Sequence, residues 1–166
     1  MRYFTLVDQQ ICVEGHYLPP NQHTKMQPYW RCPQCGNEVI KECFCKATIR
    51  VRGFTKTVGK WEEDEYLPIP KYCWGRGKPY PWTEKIIKAT KALVDELEEL
   101  NESERNLIME NIEDFIGETP STVLAATRIK KIIIKAKEST QIALKNFMVE
   151  VASMVAQDVL TGRVNY

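Results

Sequence analysis

Cys32-Pro33-Gln34-Cys35-Gly36 is the stretch whose reading decides the fold. Two thiols three positions apart, followed by glycine, are the sequence of a zinc knuckle. The glycine lets the backbone turn tightly, so that amide groups can point at the second thiolate. Towards the N-terminus, Cys12-Val13-Glu14-Gly15-His16 supplies a second pair, and fifteen residues separate His16 from Cys32. Two ligand pairs at such a separation are how a short chain builds a closed tetrahedral site. Cys12, His16, Cys32 and Cys35 are therefore the expected ligands of one tightly held structural Zn2+ ion.

Further along the chain lie Cys43-Phe44-Cys45 and, 27 residues later, Cys73-Trp74-Gly75-Arg76-Gly77. Cys43, Cys45 and Cys73 form a second candidate metal set that is one ligand short. Arg76 stands where a second knuckle ligand would be, and a guanidinium has no lone pair to give a cation. Three readings stay open. His23 or a carboxylate completes the site, the three thiols alone hold an exchangeable metal, or the site is vestigial and packed as apolar.

The character of the sequence changes near residue 82. All six Cys, both His and most of the Pro precede that point, and Pro120 is the one proline after it. The expected fold class is α+β: a small zinc-ribbon β module over residues 1–82, then a helical tail of three or more helices over 83–166. In the head, Arg2–Val7 alternates loosely and Ala47–Arg52 clearly, and Phe54–Val58 follows Gly53, which suggests a hairpin turning at that glycine. Trp61–Tyr66 reads as an acidic loop. So small and polar a module needs a staple, which its thiols can supply through a metal.

In the tail, Thr83 is a candidate cap for a first helix with apolar face Ile86, Ala89, Leu93, Leu97 and Leu100. Asn101 with Glu104 has the form of a capping box for a second, which Gly117 ends. Thr119-Pro120 opens a third that could run as far as Leu160, about 60 Å. Such a helix outruns the other two. A bend near Ser139-Thr140, or a partner subunit, is needed to cover the rest.

These motifs, with Ile49-Arg50 after Cys45 and the run Gly77-Lys78-Pro79-Tyr80-Pro81-Trp82-Thr83, resemble an uncharacterised bacterial family, a domain of unknown function. The resemblance spans nearly the whole chain, and the Gly-Lys-Pro-Tyr-Pro-Trp-Thr run is its most specific part. It implies a zinc-ribbon head joined to a helical tail. In that family the later cysteine pairs read Cys-x-x-Cys twice. This chain departs at both, with one residue fewer between Cys43 and Cys45 and with Arg76 in place of a cysteine.

Composition limits the functional classes. The formal net charge is +1, so bulk charge points to no particular partner. Met1–Gln10 has no long apolar run and no stretch approaches a membrane span, so a cytoplasmic protein with no membrane partner is expected. No nucleophile triad, phosphate loop or dinucleotide fingerprint is present, and a four-ligand metal site is closed to substrate. A non-enzymatic binding module is expected, with a protein partner and a homo-oligomer formed through the long C-terminal helix. The alternative is single-stranded nucleic-acid binding by Arg50, Arg52, Phe54, Lys56, Lys60 and Trp61, since residues 1–82 carry 12 basic against 8 acidic residues. A weaker alternative is a bacterial or phage inhibitor or ligand-sequestering protein. In the tail, residues 84–118 carry 4 basic against 11 acidic residues and residues 119–166 carry 7 against 3, which suggests mutual complementarity.

Overall fold

A computed structural model of the chain describes residues 3–8, 10–18, 29–57, 60–63 and 69–163, with backbone alone for 3–8, 50–57 and 60–63. The architecture is α+β, with six strands followed by five helices among the described residues. The chain divides into two compact units, Met1–Lys85 and Ile86–Tyr166.

The first unit contains two three-stranded antiparallel sheets. One is formed by β1 (Tyr3–Asp8), β5 (Arg50–Thr57) and β6 (Lys60–Glu63), with β5 central. Gly53 does not turn the chain as expected. It lies inside β5 opposite Leu6, and the hairpin joins β5 to β6 instead. Trp61–Glu63, expected in an acidic loop, pair with Phe54–Lys56. The second sheet is smaller: β2 (Gln10–Cys12) lies between β3 (Tyr17–Leu18) and β4 (Val39–Ile40). Its neighbouring core is short of aliphatic mass. Ile11, Ile49, Tyr80 and Trp82 are buried together with the thiols of Cys43 and Cys73.

Helix α1 (Pro81–Glu96) opens with proline at its first position, where the missing N–H costs nothing. Thr83 is not its cap. The Thr83 hydroxyl donates to the Lys71 carbonyl at 2.7 Å, and Trp82 Nε1 donates to the Pro70 carbonyl at 2.9 Å. These bonds fix the start of α1 against the segment that precedes it.

In the second unit, α2 (Glu102–Ile116) carries the expected capping box: Asn101 Oδ1 accepts from the Glu104 N–H, and a Glu104 carboxylate oxygen from the Asn101 N–H. The expected long third helix is three helices: α3 (Thr122–Lys135), α4 (Glu138–Val151) and α5 (Met154–Thr161). Neither break contains proline or glycine. At the first, Ala136 and Lys137 are both extended, and Glu99 holds Lys137 through its N–H and its ammonium, each at 3.2 Å. At the second, the Ser153 N–H donates to the Phe115 carbonyl and the Ser153 hydroxyl caps Ala156. The expected bend near Ser139-Thr140 falls at 136–137, and a second, unexpected break follows at 152–153.

These breaks change the account of the surplus apolar surface. Ile132, Ile133, Met148 and Val159 are buried in one core with Ile108, Ile112, Phe115 and Ile129. A continuous helix would have needed a second chain to cover them, whereas α4 and α5 fold back and cover them here. Two of the basic residues of α3 are also engaged. Arg128 donates to Asn111 Oδ1, and Lys130 Nζ donates to the Val159 carbonyl near the C-terminal end of α5, where a cation is favoured.

Phe115 is fully buried where α2 meets the segment before α5. Phe115→Ala should cost about 3–5 kcal/mol and lower the denaturant midpoint accordingly. A change below about 1 kcal/mol would show that this core is not packed as described.

Candidate metal centre

The sequence around each thiol folds the same way four times, in two sizes. In the tight form, the Cys12 N–H donates to the His16 carbonyl and Gly15 N–H to the Cys12 carbonyl. The Cys43 N–H likewise donates to the Ala47 carbonyl and Lys46 N–H to the Cys43 carbonyl. The wide form adds one residue. Cys32 N–H donates to the Asn37 carbonyl and Gly36 N–H to the Cys32 carbonyl, while Cys73 N–H donates to Lys78 and Gly77 N–H to Cys73. The residue that closes each turn has positive φ: Gly15 +90°, Gly36 +72°, Gly77 +65° and Lys46 +67°. Glycine adopts that conformation freely, and lysine at Cβ cost.

One tight and one wide turn face each other to make each centre. At the first, donor atoms of Cys12, His16, Cys32 and Cys35 all lie within 4.8 Å of one another. Cys12 Sγ is 3.8 Å from Cys35 Sγ and 3.3 Å from His16 Nδ1, and Cys32 Sγ is 3.6 Å from the same nitrogen. A tetrahedral ion with zinc-like bond lengths has sulfur–sulfur edges of about 3.8 Å and sulfur–nitrogen edges of about 3.6 Å. The four side chains thus fit an ion of that size. Burial pushes the Cys32 thiol up, but N–H groups of Gln34 and Cys35, with Cys35 and His16, outweigh it and bring it down to about 7. Burial raises the Cys12 thiol above its ordinary value, against N–H groups of His16 and Glu14. Backbone amides aimed at sulfur favour the thiolate a metal requires.

The second centre joins Cys43, Cys45 and Cys73, again within 4.8 Å of one another, with Cys45 Sγ and Cys73 Sγ 3.5 Å apart. No fourth His, Cys, Asp or Glu joins them among the described residues. His23 lies outside the described residues. The same balance of burial against N–H groups, here of Gly75 and Arg76, brings the Cys73 thiol down to about 7. Burial works against the charge on Arg76, but contact with the Cys43 sulfur and the nearby Cys73 and Cys45 hold it above its usual value. All six cysteines are free of disulfides.

Other expected site residues fall as follows. Arg50, Arg52, Phe54 and Lys56 lie along β5, and Lys60 and Trp61 lie on β6. Their side chains lie outside the described residues. Glu14 is not simply solvated. It accepts from Asn37 Nδ2 at 3.0 Å and pairs with Lys85 on α1. Sequence reasoning missed a cleft of about 720 Å3 lined by Tyr29, Trp30, Phe44, Cys43, Arg76 and Tyr80 among others. Its signal was present in the aromatic residues within two positions of the thiols, Trp30 and Phe44.

A family model described as an uncharacterized protein conserved in bacteria, DUF2321, matches residues 5–160. The chain belongs to that family. Neither the curated proteins nor the solved structures yield a match. No helix among the described residues is long and apolar enough to cross a membrane.

Lys46 is the one non-glycine residue with positive φ among the described residues. Lys46→Gly should raise the thermal midpoint by roughly 4 °C, because it removes Cβ strain and forfeits only an exposed pair with Glu42. An unchanged or lower midpoint by calorimetry would show that the turn is not held as described.

Proposed function

We propose that this member of the family is a non-enzymatic, zinc-stabilised module that binds another protein through its knuckle loops. The observation that carries the reading is aromatic exposure on those loops. Phe44 is 91% exposed, Trp30 78% and Trp74 64%. Phe44 and Trp74 each follow the first cysteine of a turn, and Trp30 lies two residues before Cys32. A short turn that holds large rings in water adds nothing to its own core, and grouped aromatics are the usual anchors of a protein interface. Zinc suits three thiolates and an imidazole, as a borderline-soft ion with no redox chemistry. Four protein donors leave that ion no position for a substrate, which supports a structural role. Six free thiols suit a reducing cytoplasm.

Self-association as a homo-oligomer through the tail is a companion reading. The surface available to it is the more than half-exposed Leu124, Ile134, Ile142 and Met154, not the apolar residues buried by α4 and α5. A second reading is single-stranded nucleic-acid binding. The pairing of β5 with β6 supports it, because basic and aromatic positions then share one ribbon.

Affinity purification of the full chain from its native cells, at low and high salt, separates these readings. The expected result is a protein partner retained at high salt by the native chain and depleted at least about tenfold by Trp30→Ala with Phe44→Ala. Nucleic acid that co-purifies and is lost at high salt would overturn protein binding in favour of the ribbon. Light scattering tests the tail: mass should fall to that of a monomer in Ile134→Asp with Ile142→Asp, and a native monomer would reject self-association.

A further inference from the structure

The two centres repeat each other turn for turn. The wide turn at Cys32 and the wide turn at Cys73 share the same two hydrogen bonds, the same positive-φ glycine and the same flanking bridge, Arg31 with Glu38 and Tyr72 with Pro79. Three residues after the first cysteine, the former places Cys35 and the latter Arg76. Arg76 therefore occupies the position from which the fourth ligand reaches the first centre. The surrounding turn has not relaxed. Gly75 still approaches so closely that an added Cβ would lie 2.9 Å from Ala47 Cβ and 3.2 Å from Cys45 Sγ. The tight and wide turns thus stay closed on each other around three sulfurs.

Three sulfurs held this close repel one another once ionised, so their convergence calls for a cation among them. Donors surround them: N–H groups of Ala47, Gly75 and Arg76, and the Tyr80 side chain at Cys73. The guanidinium stands beside Cys43 but supplies no lone pair. Both Cys43 and Arg76 line the 720 Å3 cleft, so the Arg76 side of the three sulfurs borders that cleft.

We propose that Cys43, Cys45 and Cys73 hold a second, exchangeable divalent metal ion whose open coordination position binds a small anion steered by Arg76. Three thiolates leave a divalent ion with one net negative charge, and the guanidinium offsets it. An incoming anion then meets a Lewis acid on one side and a fork of N–H donors on the other. Tyr80 is a positioning residue, buried and stacked on Trp82 with ring centroids 4.7 Å apart. The proposal goes beyond protein binding by the knuckle loops and does not depend on it.

The test is Co2+ substitution in the full chain, with azide as the anion probe. The absorption difference between the native chain and Cys45→Ser isolates the second centre. The first centre is present in both and cancels, so failure of either centre is separately visible. The native difference should contain a thiolate-to-cobalt charge-transfer band, and azide should shift its visible bands saturably. Arg76→Gln should keep the charge-transfer band and weaken azide binding about tenfold. Arg76→Cys should strengthen the charge-transfer band by about a third, as a fourth thiolate joins three, and abolish the azide response. No charge-transfer band in the native difference would overturn the metal site. A band indifferent to azide would overturn the open position.

Discussion

The head depends on one constraint: three sulfurs and an imidazole nitrogen must share a space of less than 4.8 Å. Left to themselves, partly ionised thiols at such distances repel, and the backbone amides that favour their ionised form make the repulsion worse. A cation at the centre would outweigh that repulsion, because it attracts each sulfur and the imidazole nitrogen at once. Such an attraction would matter because the head has little else to hold it. Among the described residues its buried aliphatic and aromatic side chains are few, and four of its cysteines are buried with them. The tail, with a continuous core running from Val94 to Leu160, has no such need. The candidate metal centres thus lie in the first unit and the larger hydrophobic core in the second.

Much of this was legible in the sequence, for identifiable reasons. Cys12/His16 and Cys32/Cys35 could be paired because ligand spacing is set by the turn that carries them. Asn101 and Glu104 could be read as a cap because their reciprocal hydrogen bonds require that spacing. The four-fold recurrence of the turns was only partly legible. Each opens on a cysteine and three close on a glycine, Gly15, Gly36 and Gly77, which is why Cys73–Gly77 could be read as a knuckle. The fourth closes on Lys46, a residue type that does not announce a positive φ.

The larger sheet of the head and the helices of the tail show the same limit. Gly53 suggested a turn, but a glycine inside a central strand can simply pair, as it does with Leu6. The breaks after α3 and α4 carry no proline or glycine, so periodicity ran straight through them. They are made by partners distant in sequence: Glu99 for Lys137, and the Phe115 carbonyl for Ser153. Only the Ser153 cap was available locally, and one serine in an apolar run is a faint signal.

Zinc-edge X-ray absorption on the full chain with Cys45→Ser, purified without added metal, tests the central claim most directly. The account predicts one zinc per chain with three sulfurs at about 2.3 Å and one nitrogen at about 2.0–2.1 Å. A shell dominated by oxygen, or a folded head that carries no metal, would contradict it.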